Sequence, residues 1–333
     1  MERVENVKAV LMQGFGGTDV LHIGEHPDPE LGEGDLLVRV RATALNRADL
    51  LQRRGAYPPP KGASDILGLE MAGEVVDVGP AVTAWKRGDR VCALLPGGGY
   101  AEYVAIPAGM AMRLPDHFSF EQGAAIPEVF LTAYSNLFWF GNLKKGDRVL
   151  VHAGASGVGT AAIQLIRELG AEAMVTAGSK EKLERCRELG ATAGWNYKDG
   201  SFAPWVKELT EGKGVDLILD FVGAPYFKDN VDSLAVDGRL IIIGTLGGAK
   251  VRDVNLTDIL MRRLRIVGTA LRSRSVEDKI KLTREFSEFA LPRFADGRLQ
   301  PVIDRVFDWQ DVREAHRYME SNANIGKIVL RIG

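Results

Sequence analysis

Hydrophobic and polar positions change their rhythm along this chain near residue 147. Before it, the runs Val7–Met12, Leu36–Ala44, Gly73–Val78, Arg90–Leu94 and Tyr100–Ile106 are short, rich in aliphatic residues and cut by glycine, proline and aspartate. Strands separated in this way predict a compact β-barrel or sandwich. A helical run follows over Glu121–Gly141, with Gly123-Ala-Ala-Ile-Pro127 near its start and an aromatic-rich stretch through Trp139. From Asp147 the pattern alternates. Strands are predicted at Arg148–His152, Ala173–Thr176, Ala193–Tyr197, Asp216–Phe221, Arg239–Gly244 and Arg265–Ala270, with helical runs such as Lys180–Leu189, Phe202–Thr210 and Tyr226–Leu234 between them. Six strands with intervening helices predict a doubly wound parallel sheet. From Val276 onward come a long helix, a strand around Val302–Phe307, a helix over Trp309–Ser321 and a closing strand at Lys327–Ile332. The tail resumes the β-rich character of the start. The expected organisation is therefore an α/β chain with a discontinuous β-rich domain, residues 1–127 and 276–333, around a Rossmann domain over residues 128–275.

The densest chemical signal is Asp147-Arg-Val-Leu-Val-His-Ala-Gly-Ala-Ser-Gly-Val-Gly159, which runs into the amphipathic stretch ending at Gly170. A strand, a small-residue turn and a helix together hold a pyrophosphate, because backbone N–H groups at the helix start face the anion and glycines let the chain approach it. The dinucleotide fingerprint is met at Gly154 and Gly159, with Ser156 at the middle glycine's position and Gly157 and Val158 completing the turn. A nucleophile elbow is excluded, since Val158 stands where that motif needs glycine.

After the next strand, an acidic residue ordinarily accepts from the ribose 2′-OH. Here the strand runs into Gly178-Ser179-Lys180-Glu181-Lys182, which puts a hydroxyl and two ammonium groups near the strand tip and no carboxylate on it. A 2′-phosphate would be repelled by an acid and held by such a set. Gly178, Ser179 and Lys182 therefore favour NADPH over NADH, against the plainer reading of solvated first-turn lysines.

Composition narrows the function classes. At 333 residues the chain has length for two buried cores, and its net charge of −2 with both signs dispersed gives no electrostatic footprint for nucleic acid. Arg262-Arg-Leu-Arg265 is the only local basic cluster, so a non-catalytic RNA-binding role is a remote alternative. The two cysteines, Cys92 and Cys186, lack C-x-x-C spacing and fit a reducing compartment. The start of the chain, Met1-Glu-Arg-Val-Glu-Asn, has no apolar signal core, and no run approaches 18 apolar residues. A soluble, cytoplasmic protein with no membrane association is expected.

The order of a β-rich first part, a Gly-x-Ser-Gly-Val-Gly turn near the middle and a terminal Gly-Lys-Ile-Val-Leu resembles the medium-chain dehydrogenase/reductase superfamily. Ala44-Leu-Asn-Arg-Ala-Asp-Leu50, Gly68-Leu-Glu70, Leu94-Leu-Pro-Gly-Gly-Gly99, Ala124-Ala-Ile-Pro127 and Leu271-Arg-Ser-Arg274 resemble its zinc-free NADPH:quinone oxidoreductases, most closely the stress-inducible type known from animals. The likeness runs over essentially the whole chain. It implies a GroES-like catalytic domain, a Rossmann domain and an active-site cleft. A lens-crystallin relative shares this fold, which keeps the non-catalytic alternative in view.

Zinc members of that superfamily hold their metal with a cysteine just before the segment matched by Asn46-Arg-Ala-Asp49 and with a histidine in Gly-His-Glu. This chain has Leu69 at the histidine's place, a single cysteine in its first part, and five scattered histidines: His22, His26, His117, His152 and His316. Tetrahedral zinc needs three or four N, S or O ligands at matched spacing, so no metal is expected.

Without a Lewis acid the acceptor must take hydride readily. Quinones do so, and so do α,β-unsaturated carbonyls, because the charge delivered is stabilised on a conjugated oxygen. The protein then supplies orientation, water exclusion and a hydrogen bond to that oxygen. Quinone reduction is the expected activity, with enoyl or alkenal reduction as its rival. The resemblance places a tyrosine at Tyr57, discussed as proton donor in enoyl-reducing branches; the alternative is a cleft wall beside Pro58-Pro-Pro60. Asn46 is a second catalytic candidate, although Asn46 and Asp49 also read as supporting residues, and Asp49 could bridge to Arg47 or Arg53 on a solvated helix face.

Cofactor contacts are expected outside the carboxyl ends of the strands. Those ends are Phe221-Val-Gly223, Gly244-Thr-Leu246 and Ala270-Leu-Arg-Ser-Arg274. By resemblance, Phe221, Val222, Gly244 and Leu246 flank the nicotinamide and its ribose, and Thr132 and Asn324 lie near them. Tyr197 could cover the adenine side, and Leu271, Arg272 or Arg274 could reach cofactor or substrate. Strand Arg265–Ala270 carries Ile266 and Val267 on a sheet edge, and the resemblance implies that two such edges pair in a homodimer.

Overall fold

A computed structural model describes residues 6–333. The chain begins with β1 (Asn6–Met12), β2 (Leu21–Pro27), β3 (Asp35–Ala44), helix α1 (Arg47–Arg53), β4 (Glu70–Val78), β5 (Arg90–Leu94), β6 (Tyr103–Pro107), β7 (Ala111–Arg113), and helices α2 (Phe120–Ala124) and α3 (Pro127–Tyr134). Then come β8 (Arg148–Val151), α4 (Gly157–Leu169), β9 (Glu172–Ala177), α5 (Lys180–Leu189), β10 (Ala193–Asn196), α6 (Ala203–Leu209), β11 (Val215–Asp220), α7 (Phe227–Ser233), β12 (Leu234–Ile242), α8 (Leu256–Met261) and β13 (Arg265–Gly268). The chain closes with α9 (Val276–Ala295), β14 (Ile303–Asp308), α10 (Val312–Glu320) and β15 (Lys327–Arg331).

These elements form two compact units. The first holds the residues up to Leu131 together with Leu271–Gly333, and the second is Thr132–Ala270. In the first, β1 and β2 make an antiparallel pair and a seven-stranded sheet runs β14-β15-β3-β4-β5-β7, with β6 also on β3. β3 is central because its Leu36, Val38, Val40 and Ala42 are buried, whereas Arg39 points to solvent. Its core gathers Leu21, Val38, Leu67, Met71, Tyr100, Trp309 and Leu330.

The second unit is a six-stranded parallel sheet ordered β10-β9-β8-β11-β12-β13. Numbered from its own first strand, that order is 3-2-1-4-5-6, the dinucleotide-binding arrangement, in which ligands sit outside the strand ends where the order reverses. α4 and α5 both start on serine caps and stop at left-handed glycines, Gly170 (φ 78°) and Gly190 (φ 117°).

The structure departs from the sequence expectation in several places. The predicted helix over 121–141 is broken between Ala124 and Pro127, because proline has no N–H and its ring disfavours helical backbone at Ile126. Its second half widens into a π-helical stretch at Ser135–Phe140, where Gly141 N donates five residues back to Asn136 O at 2.9 Å. β2, β7 and α8 are additional elements, and β12 starts at Leu234, earlier than the Arg239 read from the pattern. Among the described residues no helix is long and apolar enough to cross a membrane.

Candidate functional site

In the second unit, β8 delivers the glycine turn to the sheet's reversal point, between β9 and β11. Ala153 already adopts φ 50°, and neither flanking glycine tolerates a side chain. A Cβ at Gly154 would lie 2.7 Å from the Cβ of Val175, and one at Gly159 would lie 2.4 Å from the Ala153 carbonyl oxygen. Ser156, at the middle glycine's place, caps α4: its Oγ accepts from Gly159 N at 3.1 Å. Gly157 and Val158 form the first turn, where N–H groups have no carbonyl within the helix to bond and the helix dipole favours an anion. The arrangement suits a pyrophosphate.

β9 ends at Ala177, and the tip continues as Gly178 and Ser179, with no carboxylate until Glu181 in the first turn of α5. Ser179 Oγ accepts from Lys182 N at 3.3 Å. The two lysines differ. Lys180 is exposed and pairs with Glu184 at 3.7 Å, whereas Lys182 is half-buried on the first turn. Tyr197 is not the last residue of its strand; it opens a 3-10 turn, Tyr197–Asp199, after β10 stops at Asn196. Its phenol lies against Gly178, where a Cβ would stand 2.4 Å from the hydroxyl oxygen. Gly178, Ser179, Lys182 and Tyr197 thus share one corner.

At the end of β11, Asp220 Oδ1 accepts from Val222 N (2.7 Å) and Gly223 N (3.2 Å), turning the chain at Phe221. The loop after β12 joins it: Gly244 N donates to Asp220 O (3.3 Å), Leu246 N to Phe221 O (3.1 Å) and Gly247 N to Val222 O (2.8 Å). Phe221, Val222, Gly244 and Leu246 therefore form one rim, from which Leu246 projects 59% exposed. Thr132 is buried in α3, and its carbonyl accepts from Asn136 Nδ2 at 2.8 Å. Behind the rim, His152 is fully buried between Thr176 Oγ1 (2.9 Å) and Asn230 Oδ1 (2.7 Å). Burial pushes its pKa down to about 4, so it is a neutral packing residue.

Leu271, Arg272, Arg274 and Asn324 belong to the first unit. Asn324 Nδ2 donates to Gly326 O at 2.8 Å, and Arg274 pairs with Asp278 at 3.5 Å. The first unit also holds a buried polar cluster. Lys327 Nζ donates to Glu70 Oε1 (2.7 Å), Asn46 Oδ1 (2.8 Å) and Leu45 O (2.6 Å). Asn46 Nδ2 donates to Glu70 Oε1 at 2.8 Å, and Glu70 Oε2 accepts from Glu128 N at 2.8 Å. The Asn46 side chain is thus committed at both ends.

Asp49 does not bridge to arginines on a solvated face. It is fully buried and accepts from Asn46 N (2.7 Å), Gly68 N (3.0 Å) and the Tyr100 hydroxyl (3.4 Å). Burial raises its pKa to about 6. The arginines go elsewhere: Arg47 bonds Asn322, and Arg53 bonds His316 Nδ1 (3.1 Å) and Glu320. Glu70 and Lys327 were not singled out as site residues from the sequence. The available signal was a charge at the head of each of two apolar strand runs, since a buried charge needs a partner.

The residues around Glu70 do not fit a zinc ion. Leu69 offers no lone pair, the Glu70 carboxylate is already paired with an ammonium, and burial pushes the Cys92 thiol up to about 12. Among the described residues no group of three or more His, Cys, Asp or Glu side chains is placed to hold a metal.

Tyr57 is half-buried, and the Arg272 guanidinium lies over its ring, 5.3 Å from the centroid. Its phenol is the titratable hydroxyl among the predicted catalytic residues that is not locked into the Glu70 cluster.

Comparison with known proteins places these features in a family. Residues 32–116 match the family described as alcohol dehydrogenase GroES-like domain, and residues 157–288 match the one described as zinc-binding dehydrogenase. The chain is 32% identical to a quinone oxidoreductase of Lama guanicoe, with 97% of each chain covered. It is also 32% identical to the synaptic vesicle membrane protein VAT-1 homolog of Rattus norvegicus, covering 97% of this chain and 84% of that one. Among solved structures it is similar to an NAD-dependent alcohol dehydrogenase (TM-score 0.87, 33% identity, 98% and 100% covered). A mycobacterial protein complexed with NADPH scores 0.87 at 30% identity, with 97% and 99% covered. The CurK enoyl reductase scores 0.87 at 27% identity, with 99% and 100% covered.

Proposed function

Since the chain belongs to the medium-chain dehydrogenase/reductase superfamily, we propose that it catalyses the NADPH-dependent reduction of quinones, orthoquinone-like acceptors among them, without a metal ion. The observation that carries this reading is the Leu69–Glu70–Lys327 arrangement, which fills the place of a Lewis acid with an aliphatic side chain and an internal ion pair. An acceptor reduced here must stabilise its own charge, and quinones do. Likeness to a quinone oxidoreductase over the full chain supports the same choice.

Bound NADPH supplies the hydride. The chain's residues hold and orient it: Gly154, Ser156, Gly157, Val158 and Gly159 with α4 take the pyrophosphate, Ser179 and Lys182 beside Gly178 take the 2′-phosphate, and Tyr197 covers the adenine side. Phe221, Val222, Gly244 and Leu246 border the nicotinamide, with Thr132 at its ribose. Tyr57 donates a hydrogen bond to the acceptor oxygen, and Asn46 supports α1 through Glu70 and Lys327. Enoyl or alkenal reduction is the second reading, favoured by the likeness to an enoyl reductase.

The cofactor assignment has a direct test. NADPH should bind more tightly than NADH, and Lys182→Ala should weaken NADPH by about ten- to a hundredfold, the worth of one charge-assisted contact, while leaving NADH unchanged. Fluorescence titration of both cofactors measures it, and equal affinities in the wild type would refute the phosphate corner.

Assembly follows from the sheet edge. β13 leaves Ile266 and Val267 half-buried at the sheet edge, and in the preceding α8 Leu256, Leu260 and Met261 are 71%, 73% and 69% exposed. An apolar edge of this kind is normally paired or covered. Two copies should join their β13 edges across a twofold axis. Sedimentation equilibrium should give a dimer at micromolar concentration; a monomer alone would contradict the pairing.

A further inference from the structure

Arg272 is 7% exposed, and its side chain is held from several sides. Nε donates to Pro96 O at 2.8 Å and Nη2 to Gln52 Oε1 at 2.7 Å, while Gln52 is itself fixed by Nε2 donating to Asp65 O at 3.0 Å. The backbone is held as well, since the buried Lys279 donates from Nζ to Arg272 O at 2.7 Å. One nitrogen remains. Nη1 is buried with no hydrogen-bond partner among the described residues, and the guanidinium lies over the ring of Tyr57. A buried arginine that leaves a donor unsatisfied incurs a cost that structural packing alone does not require. A cation held over an aromatic face interacts with the ring's quadrupole and stabilises any negative charge the ring system takes on.

We propose that Arg272 is a positioning residue for Tyr57: it fixes the ring and favours the charge its phenol develops on giving up a proton. This inference rests on the proposed reductase reading. In the step concerned, the acceptor gains a hydride whose electron pair comes from the reduced nicotinamide. The Tyr57 O–H bond breaks as the acceptor's O–H bond forms, leaving a tyrosinate that solvent water reprotonates. Burial and two neighbouring charges set the phenol's acidity. Burial raises its pKa, the Glu128 carboxylate raises it further, and Arg272 lowers it. Arg272 also faces Asp49, and Lys279 offsets part of the Glu128 charge. Arg272 is thus the favourable cation at a phenol that its other surroundings hold protonated.

The test uses a fluorinated tyrosine at position 57, followed by its fluorine resonance through a pH titration, in the wild type and in Arg272→Met and Arg272→Lys. The phenol should titrate about one pH unit higher in Arg272→Met, the loss expected for a partly desolvated cation–π contact. Arg272→Lys, which keeps the charge but loses the fork, should shift it by a smaller amount in the same direction. The pH dependence of kcat should move with the phenol while NADPH affinity holds. Superimposable titration curves would overturn the proposal, as would a loss confined to NADPH affinity. Should Arg272→Met fail to fold, the Arg272→Lys curve decides alone. Because the titration needs no turnover, it stands apart from the quinone assignment: an inactive wild type would remove that assignment, and an unshifted phenol would remove this one.

Discussion

Lys327→Met should destabilise the first unit by about 3–5 kcal/mol, the loss typical of breaking a buried ion pair by removing one partner. Glu70 is fully buried and its cation sits 2.7 Å away, so the variant leaves a carboxylate with only the Asn46 amide and the Glu128 N–H as partners. Solvent cannot replace the ammonium there. The cost should fall on Glu70 rather than on lost packing, since methionine roughly preserves the volume of the lysine stem. Adding Glu70→Gln should therefore recover most of the loss, because it removes the unpaired charge. Urea midpoints of the single and double variants measure both effects. A single-variant loss under about 1 kcal/mol would mean the pair is solvated and worth no more than a surface bridge.

Tyr57→Phe should lower kcat while changing KM little, since a hydrogen bond made mainly in the transition state acts on kcat. With enones the loss should approach about a hundredfold to a thousandfold, the range for one donor to a developing oxyanion. With quinones it should be much smaller, because solvent can protonate a quinolate. Steady-state kinetics on one acceptor of each kind separates the cases. Full kcat in Tyr57→Phe with both would leave the side chain as a wall of the site, where only Tyr57→Ala would raise KM.

The second unit was the more legible half of the chain. β8, β9 and β11 pack as short apolar runs, and the caps Ser156 and Ser179 and the stops Gly170 and Gly190 mark where α4 and α5 begin and end. β2 escaped because it pairs with β1 alone and buries Leu21 alone among its own residues, so its polar His22, Glu25 and His26 show no alternation. α8 escaped for the opposite reason: Leu256, Leu260 and Met261 are exposed and Ile259 alone packs against the core, which is too little for a helical stripe. The glycine turn could be read locally because strand, turn and helix are contiguous. The Glu70 cluster could not, since its members come from β4, β15 and the start of α1, and only the tertiary fold brings residues 46, 70 and 327 together. The bridging alternative for Asp49 failed for the same reason, while its reading as a supporting residue agrees with its buried bonds. Helical spacing put it among arginines, whereas the fold turns it inward onto Gly68 N.

The central claim is a metal-independent, NADPH-linked reduction of quinones. It is tested most directly by following cofactor oxidation with NADPH and with NADH over orthoquinones, paraquinones, alkenals and enoyl thioesters in the presence of a strong chelator. Turnover should be fastest with an orthoquinone, undiminished by the chelator and at least about tenfold more efficient with NADPH than with NADH. Turnover of alkenals or enoyl thioesters but of no quinone, or activity that dies with the chelator and returns with zinc, would contradict it.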